Sequence, residues 1–472
     1  MMSTAPSVYP LSTSQVAKAA GVHRDTLLRW LRAGLIPEPE RDRNGWRYFD
    51  AVATAGVLEF ARSESRTEAL ANRSDPLGSG INRLQSIDWD FSDAKTDYLT
   101  HGLHPYPAKY IPQIPNALIQ ELSVTGETVA DIFCGSGTTQ VEALMLKRNA
   151  IGIDANPLAC LITRAKTTPL SDAQLAELAC LASRADMLAV SIGFTGIDTL
   201  FGTSAFRSVG PRPEGEDLTF WFDPHVIEEL AEIKLWISAL TDSSVADVAR
   251  VCMSSIIVSS SKQDSDTRYV RREKGTRPGD TLRRFARALH TAVQKISEFT
   301  DLYEPRFQSL VLSASLLDCP AIPPIDLVVC SPPYPNAYSY HLYHRTRMLW
   351  LDMDQPKFKR AEIGSHRKYS SKGRNAATVD TFKQEMRAIF AWLRGHLRRD
   401  RYACFVVGSS TIGGALVDNA QLLSDVAGEV GFKRAACIAR TMQVTKKAFN
   451  PAIGKIKTES VLILQNRAGE RQ

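Results

Sequence analysis

Asp131-Ile132-Phe133-Cys134-Gly135-Ser136-Gly137-Thr138-Thr139 follows the short apolar run Thr128-Val129-Ala130 and leads into a helical stretch from Thr138 to about Leu146. The order is strand, glycine turn, helix. Gly135 and Gly137 allow the backbone to approach a ligand closely, and the helix start presents amide donors to it. A Gly-x-Gly turn alone occurs in many nucleotide-binding sites. Here the next apolar run, Ala150-Ile151-Gly152-Ile153-Asp154, ends in an acid about twenty residues on, where a doubly wound sheet places a carboxylate for ribose hydroxyls. The two runs together predict an α/β fold.

About two hundred residues further on stands Ser331-Pro332-Pro333-Tyr334, behind the apolar run Ile325-Asp326-Leu327-Val328-Val329-Cys330. That run reads as a buried parallel strand, and the two prolines end its ladder pairing. Ser331 and Tyr334 are thereby offered at a strand's carboxyl end. A stiff turn carrying a hydroxyl and a carbonyl can hold an amine by hydrogen bonds, while an aromatic face stacks on a flat base. Cys330 lies inside the apolar strand and reads as a core residue rather than a nucleophile.

These stations resemble the DNA amino-methyltransferases, which use S-adenosylmethionine to methylate N4 of cytosine or N6 of adenine. Leu103-His104-Pro105-Tyr106-Pro107-Ala108-Lys109-Tyr110 resembles the segment preceding the family's cofactor loop; DIFCGSGTT resembles that loop; GIDANPLA, Gly152 to Ala159, fits its acidic second strand; SPPY resembles its catalytic tetrapeptide. The resemblance spans residues 100–170 and 308–466. It implies a Rossmann-like class I methyltransferase sheet, mostly parallel with a late antiparallel strand, with strands near Tyr402–Gly408, Ala436–Arg440 and Ser460–Leu464.

The resemblance further implies roles. Asp131 would bind the methionine amino group, Phe133 would pack near the cofactor, Asp154 would accept from the ribose, and Lys109 would lie near the methionine end. Gly135, Gly137, Thr138 and Asn156 complete the expected cofactor set. Ser331 and the Pro332 carbonyl would accept from the target amine, with Pro333 stiffening the turn and Tyr334 stacking on the extruded base. The amine attacks the sulfonium methyl in line without a covalent enzyme intermediate, so positioning and polarisation carry the rate. Ser in the first position of the tetrapeptide is typical of cytosine-N4 enzymes, whereas adenine enzymes usually carry an acid or amide there. Adenine remains the alternative, as does a DNA-binding regulator whose methyltransferase fold only senses cofactor. Restriction-modification or phage defence, with a possible partner nuclease, is the expected setting.

At 472 residues the chain should hold two or three units. Its formal charge of +6 suits an anionic partner such as double-stranded DNA. The eight cysteines show no metal-ligand spacing, so reduced thiols and no metal are expected. The sequence has neither a membrane-length apolar stretch nor a signal-peptide layout, so a cytoplasmic protein is expected.

Residues 1–65 read as a separate module. Thr13 to Val22 suggests a short helix with a glycine turn, and His23 to Ala33 a second helix with Leu27, Leu28 and Leu31 on one face. Arg24, Arg29 and Arg32 are its candidate DNA contacts. With the turn Arg43-Asn44-Gly45-Trp46-Arg47-Tyr48-Phe49, the module resembles the winged helix-turn-helix of MerR-type regulators, which implies Arg47 and Tyr48 on the DNA backbone. A helical pair for protein contact is the alternative. Residues 66–95 read as a polar linker.

Residues 171–307 are too long for a loop and carry helical spacing at Asp172–Val190, His225–Leu240, Val245–Ser259 and Thr281–Phe299. This insert is either a target-recognition region or a helical cover for the sheet. Within it Lys262 to Arg272 reads as a loop whose Arg268, Arg271 and Arg272 are candidate DNA contacts, or else as a solvated surface. Between Pro356 and Arg374 seven Lys or Arg residues face one Glu, a surplus equal to the chain's net charge. Read as a mobile cationic loop, this stretch with Arg367 and Lys368 is a candidate phosphate clamp beside SPPY, against the alternative of a solvated charge run.

Overall fold

The computed structural model describes residues 11–20, 22, 27, 28, 30, 31, 36–40, 47–62, 78–91, 94–195, 206–215, 217–335, 339–365, 377–412, 415–441 and 458–467. It divides into two units, Met1–Ser79 and Gly80–Gln472.

The smaller unit is held by a compact apolar core of Val16, Leu27, Trp30, Leu31, Ile36, Phe49 and Val57. Helix Thr13–Ala19 starts on a capping box: Ser12 accepts from the Gln15 amide while the Gln15 side chain accepts from the Ser12 amide. Leu11–Ser12 pairs antiparallel with Tyr48–Phe49, and helix Ala51–Arg62 closes the core with Phe60 edge-on to Trp30 at 5.0 Å. Arg24, Arg29 and Arg32 lie outside the described residues.

The larger unit is built on a seven-stranded sheet: β1 (Thr128–Asp131), β2 (Asn149–Asp154), β3 (Ser309–Ser313), β4 (Ile325–Cys330), β5 (Leu397–Gly408), β6 (Phe432–Thr441) and β7 (Thr458–Asn466). The spatial order is 3-2-1-4-5-7-6. Strands 1 to 5 run parallel; β7 enters antiparallel between β5 and β6. This is the Rossmann-like arrangement with its late antiparallel strand. The order reverses between β1 and β4, so a crevice opens at their carboxyl ends. The runs Val129-Ala130 and Leu327 to Cys330 are fully buried, which is why they read as continuous apolar strands rather than alternating ones.

Helices Val379–His396 and Asn419–Glu429 share a core with Ile132, Ile153, Val328, Phe405 and Leu462 of the sheet and its loops. The insert is helical at all four expected stretches: Asp172–Thr195, Pro224–Ser238, Ser243–Ser260 and Asp280–Thr300. It forms a second core with helix Pro157–Thr167 and Trp350. Helix Asp280–Thr300 buries Leu282, Phe285, Leu289, Ile296 and Phe299 along one stripe, and the Glu229 carboxylate accepts from the amides of Gly279, Thr281 and Leu282 at its start.

Three expectations change. The linker reading of residues 66–95 fails from 78 onward. Gly78–Gln85 is a helix, and a Cβ at Gly80 would stand 2.4 Å from the Glu121 carbonyl oxygen, so glycine permits backbone contact where composition suggested a tether. Arg83 pairs with Glu121 at 2.5 Å, and buried Trp89 donates to the Leu84 carbonyl. Residues 262–272 form no irregular loop; Gln263–Ser265 and Arg268–Arg271 pair as a hairpin. In the cationic stretch, Gln355–Ala361 is a helix capped by Asp354 and anchored by buried Phe358.

Candidate active site

One cleft of about 1100 Å³ opens at the carboxyl ends of β1, β2 and β4. Its walls bring together Lys109, Asp131, Phe133, Gly135, Thr138, Asp154 and Asn156 with Ser331, Pro332, Pro333 and Tyr334, residues separated by up to about two hundred positions. Gly137 stands just behind, capping the following helix with φ +76°.

Asp131 ends β1 and is buried. Its carboxylate accepts from the Phe133 amide at 3.0 Å, the Tyr110 hydroxyl at 3.0 Å and the Thr139 hydroxyl at 2.9 Å. Desolvation outweighs those donors and pushes it from 3.8 to about 7. Asp154 ends β2 and accepts from the amides of Gly135 at 2.9 Å and Asn156 at 2.8 Å; burial raises it to about 6. Both acids are thus oriented by the backbone they sit on. Asn156 serves two ends: its carbonyl caps helix Pro157–Thr167 through the Leu158 amide at 3.0 Å, and its amide nitrogen donates to the Tyr106 hydroxyl at 3.2 Å. Lys109 lines the cleft with its ammonium on the His101 carbonyl at 3.0 Å.

On the other side the Ser331 hydroxyl donates to the Val406 carbonyl on β5 at 3.0 Å, and the Tyr334 hydroxyl reaches the same oxygen at 3.3 Å. The two hydroxyls lie 3.4 Å apart, and a Ser331 hydroxyl that donates to Val406 keeps its lone pairs as acceptors at the cleft wall. The Tyr334 hydroxyl is anchored on β5 while the residue lines the cleft. Cys330 is fully buried and its thiol is held well above the ordinary range by burial, which suits a core residue.

Several lining residues escaped the sequence reading. Tyr106 and Tyr340 stack at 5.9 Å, and Tyr110 holds Asp131. Tyr106 and Tyr110 lie within a quoted motif in which only Lys109 was assigned, and Tyr340 lies in none. Glu362 accepts from the Tyr340 amide at 2.6 Å and meets His341 Nδ1 at 2.5 Å. Gly364, φ +73°, brings its backbone onto SPPY: a Cβ there would lie 2.5 Å from the Tyr334 carbonyl oxygen. No motif announces a contact made from thirty residues away.

Of the candidate DNA contacts in the larger unit, Arg268, Arg271 and Arg272 are not among the residues that line the cleft. Arg268 and Arg272 each lie 3.4 Å from Asp264, and Arg271 lies 2.7 Å from Glu273 and over the Phe220 ring. In the smaller unit Arg47 pairs with Glu38 at 2.7 Å and Tyr48 bonds Glu40. Phosphates would have to compete with these acids. Arg367 and Lys368 lie outside the described residues. Among the described residues there is no group of His, Cys, Asp or Glu able to hold a metal, and no helix long and apolar enough to cross a membrane.

The larger unit is a Rossmann-like α/β sheet with a cleft at its strand ends, joined in sequence to a small unit with a core of its own. Residues 39–164 match the DNA methylase family of N6/N4 type, and residues 12–49 match the MerR family of regulatory proteins. Both resemblances drawn from the motifs therefore stand. The Type II methyltransferase M.MjaII of Methanocaldococcus jannaschii is 38% identical over 85 residues, 17% of this chain and 16% of that protein. The Type II methyltransferase M.MvaI of Kocuria varians is 26% identical over 282 residues, 56% of this chain and 60% of that protein. The chain thus spans less than two thirds of these relatives. A solved putative methyltransferase from Thermoplasma acidophilum aligns over 76% of each chain at 9% identity and a TM-score of 0.26.

The residues present fit S-adenosylmethionine, the methyl donor of the DNA methylase family. Two buried carboxylates, Asp131 and Asp154, line the cleft as acceptors of the kind an ammonium and ribose hydroxyls require, and the Ser136 hydroxyl, buried and lining the cleft, has no hydrogen-bond partner among the described residues.

Proposed function

We propose that this chain is a site-specific DNA methyltransferase that places a methyl group on the exocyclic N4 amine of cytosine. One observation carries the reading: the acids of the glycine loop and second strand share a single cleft with Ser331, whose hydroxyl proton is committed to Val406.

S-adenosylmethionine supplies an electrophilic methyl group when bound. Asp131 and Asp154 hold its ammonium and ribose, and Lys109 flanks its methionine end. The target base leaves the duplex at a cost of a few kcal/mol and is met by Tyr334. Ser331 Oγ, already a donor to β5, accepts an amine N–H and the Pro332 carbonyl accepts the second. Both acceptors raise electron density on nitrogen and aim its lone pair, which is positioning and electrostatics rather than covalent catalysis.

Cytosine is favoured because a short neutral hydroxyl heads the tetrapeptide, where adenine enzymes of this family usually carry an acid or amide. Double-stranded DNA is the proposed substrate, with the MerR-like unit as a reader and Arg268, Arg271, Arg272, Arg367 and Lys368 as candidate phosphate contacts. Long-read sequencing of DNA from a methylation-free host tests this. Modified cytosine in a short recurring motif, lost with Ser331→Ala, is the expected result; modified adenine reverses the base assignment, and no modification sinks the enzyme reading.

A further inference from the structure

Lys166 lies in the last turn of helix Pro157–Thr167, a position from which a lysine ordinarily reaches solvent and the helix's own final carbonyls. Here the residue is fully buried. Its ammonium donates to the Ser136 carbonyl at 2.9 Å and the His101 carbonyl at 3.3 Å, with no carboxylate among the described residues in hydrogen-bond or salt-bridge contact. The His101 carbonyl also receives Lys109, and the Lys166 carbonyl receives the Thr100 hydroxyl at 2.9 Å. One residue therefore fastens both the glycine loop and the turn Thr100–His101 that leads into the HPYPAKY segment, the two stretches that supply most of the donor side of the cleft. One turn earlier Thr163 donates to the Gly135 carbonyl at 3.2 Å and fills the space where a Gly137 Cβ would come within 2.9 Å.

Folding alone does not call for an amine at this place. A methionine of similar length fills the same volume without burying a charge, and an ammonium satisfied only by carbonyls costs stability. Burial and the neighbouring Lys109 push the Lys166 amine well below its ordinary range, in keeping with that cost.

We propose that Lys166 is the positioning residue of the methyl-donor site: it holds the Ser136 carbonyl turned inward, which keeps the Gly135 and Gly137 amides on Asp154 and the Cys134 carbonyl and leaves the unpartnered Ser136 hydroxyl facing the ligand's methionine end. The proposal rests on the cofactor reading above for its ligand, and on the geometry alone for its effect on the loop.

The test compares the full chain with Lys166→Met, using amide hydrogen exchange without ligand and calorimetric binding of S-adenosylmethionine. Exchange of the Gly135–Gly137 amides should quicken at least about tenfold, and the cofactor Kd should rise about tenfold or more, with Tm unchanged or higher. Unchanged exchange and unchanged Kd would overturn the proposal, as would a Tm loss with exchange rising uniformly across the sheet. Lys166→Gln, which keeps a shorter donor, should fall between the two and serves if the methionine variant does not fold. Failure of the unaltered chain to bind S-adenosylmethionine would sink the cofactor reading, while the exchange comparison would still decide the role of Lys166.

Discussion

The two sides of the cleft are built by different means. The donor side is made at strand ends and a helix start: Asp131 and Asp154 each take two or three hydrogen bonds from residues within about twenty positions or from the adjoining HPYPAKY segment. The target side hangs on one carbonyl, Val406, and on a glycine thirty residues beyond the tetrapeptide. A site fastened locally binds a ligand that is always the same; one fastened by distant segments can be reshaped around a base that arrives from outside. Each side should therefore fail separately.

The largest effect expected is on the target side. Ser331→Ala removes the proposed acceptor and should lower kcat by about 10²–10³-fold while leaving cofactor Kd within twofold, read by single-turnover methyl transfer and calorimetry. Gly364→Ala forces a side chain into positive φ and onto the Tyr334 carbonyl, and should cost about tenfold or more in turnover with the cofactor still bound. On the donor side, Gly137→Ala should raise cofactor Kd about tenfold and lower stability by roughly 1–3 kcal/mol, measured by denaturant titration.

The pH response sharpens the same contrast. Burial raises Asp131 from 3.8 to about 7, so folding favours its protonated form; this group's share of stability is full below pH 4 and is lost as pH climbs to 7. Binding of an ammonium needs the ionised form. Cofactor Kd should accordingly be about tenfold weaker at pH 6 than at pH 8, with proton release on binding near pH 6.5. The smallest effect expected is at the hairpin: Arg271→Ala, already paired with Glu273, should weaken DNA binding a fewfold and reduce the salt slope by about one.

The same contrast explains what could be read from the chain. The donor side was legible because its parts are contiguous: strand, Gly-x-Gly, helix and acid follow each other from Thr128 to Asp154. SPPY was legible as a strand end because two prolines stop β4. The fastenings were not legible. Val406 is one apolar residue in a run of seven, and nothing marks its carbonyl as an acceptor for Ser331. Gly364 sits in a stretch whose charge suggested a loop, and Gly80 in one whose glycines suggested a tether, yet both are glycines because a backbone lies against them. Lys166 reads as an ordinary helix-end cation. Composition reports which residues are flexible or charged, and only tertiary contact tells which of them are buried.

Incubation of purified protein with unmethylated duplex DNA and S-adenosylmethionine, followed by mass spectrometry of the released nucleosides, tests the central claim most directly. The account predicts N4-methylcytosine from the unaltered chain and none from Ser331→Ala; N6-methyladenine, or no methylated nucleoside from the unaltered chain, would contradict it.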